Sequence, residues 1–503
     1  MDDNKQYVVA LEISSSKIVG VLGVPNSNGG VEVLDIEAER SPNCVRYGCI
    51  QNVEETKVRI NRVLTRLEAR ISPKKITGVY VGINGRSVHN HSMSISASFD
   101  EERMITENVV ESLKKRFASE ADVQGDILEV LPCKYFVDNT EITNPIGAYG
   151  TSVRIEFNGV VARSALKMNI DRAIDSRFTI KGYIVTSLAM AEHILSNEDR
   201  QLGCMLVDFG AETTAVSIYR NGVLQYFATL PMGSRLITRD IASLNVLEEV
   251  AEEIKRTSGN AMVSTQGRSS ILVDGLRSTD VQNYVSSRSQ EIVANINEQI
   301  SYSGLSRDQI ASGIVLVGGG VQLNGFGRLV SDMTKLKVRQ GSIPVGVSLH
   351  DSAALGIEYL QVISILQQAA NIMEIGDSCV TDPVVATVEG ADVVVEEPES
   401  ATESDSGKDE IQDDDGDVPL KIPEKNKIKT SSADKSPETN RVKGGGNDGN
   451  DDDDSGEILP PNSNGGGLRA AWEKLRDKLM SVFEESKDAY ADDDADSGDN
   501  NRR

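Results

Sequence analysis

The 503-residue sequence carries 77 acidic against 52 basic residues, a net charge of −25 and an isoelectric point near 4.7. That length fits two or three domains, and that acidity argues against a nucleic-acid partner, because neutralising backbone phosphates needs clustered Lys and Arg. No apolar run approaches the roughly 20 residues that span a bilayer, and the acidic N-terminus lacks a signal-peptide core. The five cysteines give no zinc spacing and suit a reducing cytoplasm.

In chain order, residues 7–11 read as a buried strand that meets Glu12, Ile13, Ser14, Ser15, Ser16 and Lys17 and resumes over 18–22. Such a β-turn-β can clasp the outer phosphates of a nucleotide, with serine hydroxyls and N–H groups donating and Lys17 neutralising charge. The alternative reading is a polar hairpin with a surface lysine. Strands are expected at 31–39 and 76–83, on either side of a helix over 52–70 in which Val53, Val58, Ile60, Val63, Leu64 and Leu67 recur at helical spacing. Residues 84–163 change texture to short strands around one amphipathic helix at 107–120, punctuated by Pro132, Pro145, Gly147 and Gly150. They read as a compact α+β insertion. His89 and His91 share a strand face there; metal ligation is one reading, exposed hairpin side chains the other. Helices at 164–178 and 187–195 then flank a strand at 179–185.

Residues 205–219 repeat the first arrangement, with an apolar strand, Asp208, a tight turn containing Gly210, then Thr213, Thr214 and a second strand. The turn offers N–H groups to a phosphate, and Asp208 is placed to hold a metal-bound water; an ordinary hairpin with an aspartate in its turn is the alternative. The pair continues through Asn221-Gly222 into a strand at 223–229. Helices are expected at 237–242, at 247–256 (which carries Glu252 and Lys255) and at 281–302, with a strand at 269–274. A strand from 314 runs into Gly318, Gly319 and Gly320. Three residues without Cβ let a flat ring or a sugar-phosphate approach the backbone, or else make a tight strand-to-helix turn. Residues 351–360 read as a helix returning to the first half.

Past residue 382 the periodicity stops. Residues 384–467 have the acidic, Ser-, Pro- and Gly-rich composition of disorder. Then Leu468, Trp472, Leu475, Leu479, Val482 and Phe483 recur at steps of three or four and form one apolar helix face, with Arg469, Lys474, Arg476 and Lys478 on its flanks and back. A tethered helix with no core beside it needs a membrane interface or a partner groove. The single tryptophan lies on the apolar face, as an interfacial anchor would.

Two clasps, a helix with Glu252 and Lys255, and a strand followed by three glycines, in that order, resemble the actin/chaperone/sugar-kinase superfamily. Within it, residues 5–375 and the C-terminal helix resemble FtsA, the bacterial cell-division actin homologue. The resemblance is carried by Ile50-Gln51-Asn52 with Glu54-Glu55, Asn144-Pro145-Ile146-Gly147, Gly233 with Thr238 and Asp240-Ile241-Ala242, Ala251-Glu252-Glu253-Ile254-Lys255, and Val317 with the glycines.

The resemblance implies an α/β, actin-like (ribonuclease-H-like) fold of duplicated domains, with an α+β 1C insertion, a disordered acidic linker and a C-terminal amphipathic helix. Its limits are subdomain 1A at 1–83 and 164–203, 1C at 84–163, 2A at 204–230 and 307–382 with the return helix, and 2B at 231–306. The linker takes 383–467, the membrane-targeting helix 468–485 and an acidic tail 486–503. It further implies ATP and Mg2+ between two lobes, with nucleotide on Ser14, Ser15, Ser16, Lys17, Asp208, Gly210, Thr213, Thr214, Glu252, Lys255, Gly318, Gly319 and Gly320, and metal on Asp208 and, through water, Glu12. The implied partners are further copies in a filament, inner-membrane lipids at the cytoplasmic face of the division site, other division proteins through 1C, and the FtsZ C-terminal peptide on 2B with Arg277 and Arg288 as acceptors.

This chain departs from the family's usual Asp-Ile-Gly-Thr-x-Lys by having Glu12 and Ser14, and Ala211 and Glu212 replace usual glycines in the second clasp. A carboxylate beside polyphosphate repels it unless a cation intervenes. Thr186-Ser187 stand where the superfamily often has Glu-Pro ahead of the helix that positions hydrolytic water, so ATP is expected to be held with slow hydrolysis or none. A sugar or acyl kinase is the alternative, but it needs a general base beside an acceptor hydroxyl and has no use for a membrane helix.

Overall fold

Runs of apolar residues without polar interruption make the centre of each half. In the computed structural model, which describes residues 5–27, 29–262, 270–272, 275–350 and 356–382, the strand Val8–Ile13 is buried at every position. It pairs antiparallel with Lys17–Pro25, which pairs antiparallel with Val31–Arg40. On its other side lie Gly78–Ile83 and Thr179–Val185, both added in parallel. The second half repeats this order. Cys204–Phe209, also wholly buried, pairs antiparallel with Thr214–Arg220, which pairs antiparallel with Val223–Leu230; Gly313–Val317 and Val338–Gln340 add in parallel on the far side. Two sheets with the strand order third, second, first, fourth, fifth are a duplication, and the two clasps occupy equivalent hairpins in it.

Helices cover the sheets as their spacing requires. Asn52 caps the helix Val53–Arg70 by accepting the Glu55 N–H, and Ile60, Val63, Leu64 and Leu67 are its buried side. Leu360–Ile372 is buried on most faces within the first-half core, whereas Arg235–Ala242, Glu248–Ser258 and Ser278–Tyr302 pack around a separate core in the second half. A third core, with Ile95, Leu113, Phe117, Val153, Ile155 and Phe157, belongs to the 84–163 region.

Several elements differ from expectation. The strands of the 84–163 region are long: His89–Met104, Asp126–Val137 and Tyr149–Ala162. Pro132 does not break its strand, because the register skips Cys133 and places the proline at a bulge. His89 is exposed and donates its Nδ1–H to the Ser87 carbonyl, while His91 packs edge-on against Phe117, so both act as hairpin side chains. The helix expected to reach 178 ends as Ser164–Ala173, where Asp175 forms a turn by accepting the Arg177 N–H. Of the expected 269–274 strand, residues 270–272 are described, and they form an isolated bridge, Ile271 to Arg277, with the flanking bonds Leu272 N–H to the Leu276 carbonyl and Ser278 N–H to the Ser270 carbonyl. The return helix begins where it was expected to end: Ile357–Tyr359 is a 3-10 turn and Leu360–Ile372 the α-helix. The predicted linker, apolar helix face and acidic tail at 383–503 lie outside the described residues.

Candidate functional site

The two clasps close by the same bond. Ser14 N–H donates to the Lys17 carbonyl at 3.1 Å, and Gly210 N–H donates to the Thr213 carbonyl at 2.9 Å. Glu12 and Asp208 therefore occupy equivalent positions two residues ahead of each turn. In the first clasp the Ser14 hydroxyl also donates to the Lys17 carbonyl, the Ser15 hydroxyl accepts the Gly48 N–H at 2.9 Å, and Ser16 is exposed. In the second, Thr214 turns away into the core and donates to the Met232 carbonyl at 2.6 Å, leaving Gly210 and half-buried Thr213 at the turn.

Glu12 lies within electrostatic reach of both Lys17 and Asp208, so the two hairpins do converge. Burial pushes its carboxyl up to about 8, with Lys17 opposing and Asp208 adding to the rise. Neither carboxyl oxygen has a hydrogen-bond partner. Burial likewise raises Asp208 to about 6, against two hydrogen bonds from Gln361 at 2.9 and 2.7 Å. Burial lowers Lys17 from the usual lysine range, opposed by Glu12 and Glu358. Two buried carboxyls, one unpartnered, fit a hard cation that takes one or two carboxylates and completes its shell with water and phosphate. Gly318 adjoins this pair: its φ is +90°, and a Cβ would stand 2.5 Å from Asp208 Oδ1. A Cβ on Gly320 would strike the Phe209 ring at 2.6 Å, whereas one on Gly319 meets nothing closer than 4.0 Å. Two of the glycines thus have an internal packing reason, and only the middle one presents open backbone.

Glu212 does something the sequence did not suggest. Its carboxylate, 1% exposed, does not stand bare beside a phosphate turn. Oε1 pairs with Arg46 at 2.9 Å and accepts from Arg235 and Arg239 at 3.1 Å each, and Oε2 accepts the Tyr47 N–H at 2.8 Å. Arg235 also donates to the Ser15 carbonyl at 3.2 Å. The cations that the repulsion argument required are therefore built in, and they join the second clasp to the first half.

Glu252 and Lys255 form an ion pair at 2.7 Å, and Thr238 donates to the same carboxylate oxygen at 2.6 Å. Lys255 further donates to the Ser234 carbonyl at 3.3 Å, and Ser234 N–H donates to Gly210, which ties this pair to the second clasp. Arg277 is 74% exposed, but Arg288 is committed to Asp240 at 2.6 and 3.0 Å and to Glu291. Of the two arginines considered for an acidic peptide, one is open and the other already holds two carboxylates.

A family model described as "Cell division protein FtsA" matches residues 205–390, which hold the second clasp, the Glu252–Lys255 helix and the glycine run. Over 356 residues the chain is 29% identical to the cell division protein FtsA of Porphyromonas gingivalis, covering 68% of this chain and 74% of that one. Over 404 residues it is 23% identical to FtsA of Escherichia coli, covering 76% and 95%. These matches make the chain similar to FtsA proteins over about two thirds of its length. Among solved structures, the PilM-PilN type IV pilus biogenesis complex aligns with a TM-score of 0.52 at 16% identity, over 72% of this chain and 98% of that one. That likeness concerns the fold alone: the fold of this chain is actin-like, in keeping with its duplicated strand order.

Several site residues carried no sequence signal. Gln361 lies 153 positions from the Asp208 it binds. Tyr359 places its ring under the Lys17 ammonium, 3.9 Å from the ring centre. Arg46, Arg235 and Arg239 stand among ordinary surface-type arginines in the sequence, and only the fold gathers them on Glu212.

Proposed function

We propose that this cell-division protein binds ATP with Mg2+ between its two halves and holds it with little turnover. The observation that carries the reading is the convergence of two equivalent hairpin turns on Glu12, Lys17 and Asp208, beside the open backbone of Gly319. In it, the N–H groups of both turns and Lys17 bind phosphate, and Glu252 and Lys255 line the nucleoside side. Asp208 and Glu12 face the cation, which when bound neutralises phosphate charge.

The wider role in this reading is that of an actin-like filament on the cytoplasmic face of the inner membrane at the division site. The apolar face of residues 468–483 attaches it to lipid, and repetition along a filament multiplies weak single attachments. The filament tethers FtsZ through the FtsZ C-terminal peptide on 2B, with Arg277 as the open acceptor, and recruits further division proteins through 1C. The subdomain limits given above go with this proposal. No helix among the described residues is long and apolar enough to cross a membrane, which suits peripheral attachment. The test has two arms. The full chain should bind a fluorescent ATP analogue in the presence of Mg2+, and it should sediment with anionic liposomes. Deleting 468–483 should abolish sedimentation while leaving nucleotide binding in place. Undiminished sedimentation would sink the tether.

A further inference from the structure

Two charged side chains of the clasps, Lys17 and Asp208, are each engaged by a neutral group from one short segment. Tyr359 lays its ring 3.9 Å from the Lys17 ammonium. Two residues on, the Gln361 amide donates to both oxygens of Asp208 at 2.9 and 2.7 Å. Just ahead of them, Glu358 accepts from Gln322, at the end of the glycine turn, at 2.9 Å and lies within electrostatic reach of Lys17. An amide NH2 gives a carboxylate the positive contact that a cation gives, and an aromatic face gives an ammonium the negative one that a phosphate gives. One turn therefore presents substitutes for both charges of a metal-bound polyphosphate.

We propose that residues 357–361 are an internal competitor of the nucleotide site, with Tyr359 and Gln361 giving up Lys17 and Asp208 when a polyphosphate and its divalent cation bind. This rests on the nucleotide reading above. The turn leads directly into Leu360–Ile372, whose Leu360, Val362, Ile363, Ile365, Leu366 and Ala369 are buried. A close-packed helix does not yield by degrees, so the exchange takes the form of two alternative positions of the turn. Competition of this kind divides the intrinsic affinity by the fraction of molecules with the turn withdrawn.

The test compares full-length wild type, Gln361→Ala, Tyr359→Ala and Tyr359→Phe, titrated with a fluorescent ATP analogue and Mg2+, with circular dichroism to establish the fold of each. Alanine favours the first turn of the helix in which Gln361 sits, and phenylalanine retains the ring. Each alanine variant should bind roughly three- to tenfold more tightly than wild type, and Tyr359→Phe should match wild type. Alanine variants that bind equally or more weakly, with wild type binding normally, overturn the competitor and leave the nucleotide reading standing. Absence of binding in all four overturns the nucleotide reading and the competitor with it.

Discussion

Removing the Glu212 carboxylate should loosen the junction between the two halves. The side chain is 1% exposed, and its three arginine partners are 34%, 20% and 34% exposed. Deleting one partner of a buried ion pair costs about 3–5 kcal/mol, because charges are left unpaired away from water. Here the guanidiniums keep partial access to solvent and Arg235 retains Glu248 at 3.6 Å, so the loss for Glu212→Ala falls to about 2–4 kcal/mol. In a unit of several hundred residues that is a fall in Tm of roughly 3–5 °C. Glu212→Gln keeps an acceptor for the Tyr47 N–H and should lose about half as much. Thermal melts of both variants give the totals. A double-mutant cycle with Arg46→Ala isolates the part that crosses between halves, expected at about 1–2 kcal/mol. A melt within about 1 °C of wild type for Glu212→Ala, or no coupling to Arg46, would refute the reasoning.

Two further outcomes follow from the same geometry. Gly318→Ala forces a Cβ to within 2.5 Å of Asp208 Oδ1 at a φ of +90°, and should cost about 2 kcal/mol or more in stability. Gly319→Ala has room for its methyl group and should leave the melt nearly unchanged while weakening nucleotide binding, so melts and titrations of the pair separate packing from contact. Glu12 has its folded value raised to about 8 from 4.5, so its contribution to stability is full below pH 4.5 and is lost as pH rises through about 8. Glu12→Gln should remove that loss, on the order of 4 kcal/mol, and flatten stability between pH 5 and pH 8 in melts without added metal; an unchanged slope in the variant would refute it.

What the sequence disclosed depended on how local its cause was. The two clasp hairpins were legible because each is a continuous apolar run broken by one short polar turn. Helix Glu107–Glu120 was legible from its own spacing. The long strand His89–Met104 was not, although Met93, Ile95, Ala97 and Phe99 alternate with more exposed residues along it; serines and charges diluted the signal. The return helix was misplaced because Leu360–Ile372 is buried on most sides and shows little contrast between faces. At the site, Asp208 and Lys17 announced themselves through their turns, but their partners Gln361 and Tyr359 arrive from the other end of the fold. Glu212 looked like a defect in a phosphate turn because the arginines that complete it are distant in sequence.

The duplication also bears on what the site can do. Superposing the two turns by their closing bonds pairs Glu12 with Asp208, Ser14 with Gly210, Ser16 with Glu212 and Lys17 with Thr213. The chain has kept one positive charge, Lys17, in the first turn, and has directed the added negative charge of the second, Glu212, outward into a set of arginines. Hydrolysis would need a group able to take a proton from water. Thr186 and Ser187, at the start of the helix Thr186–Ile194, are buried hydroxyls, and the Thr186 oxygen has no partner; neither can serve as a base near neutral pH. In the proposed site Asp208 and Glu12 face the cation and do not stand free as bases. On the proposed reading, the groups around the clasps therefore favour a nucleotide that is bound and sensed across the junction of the two halves over one that is rapidly cut.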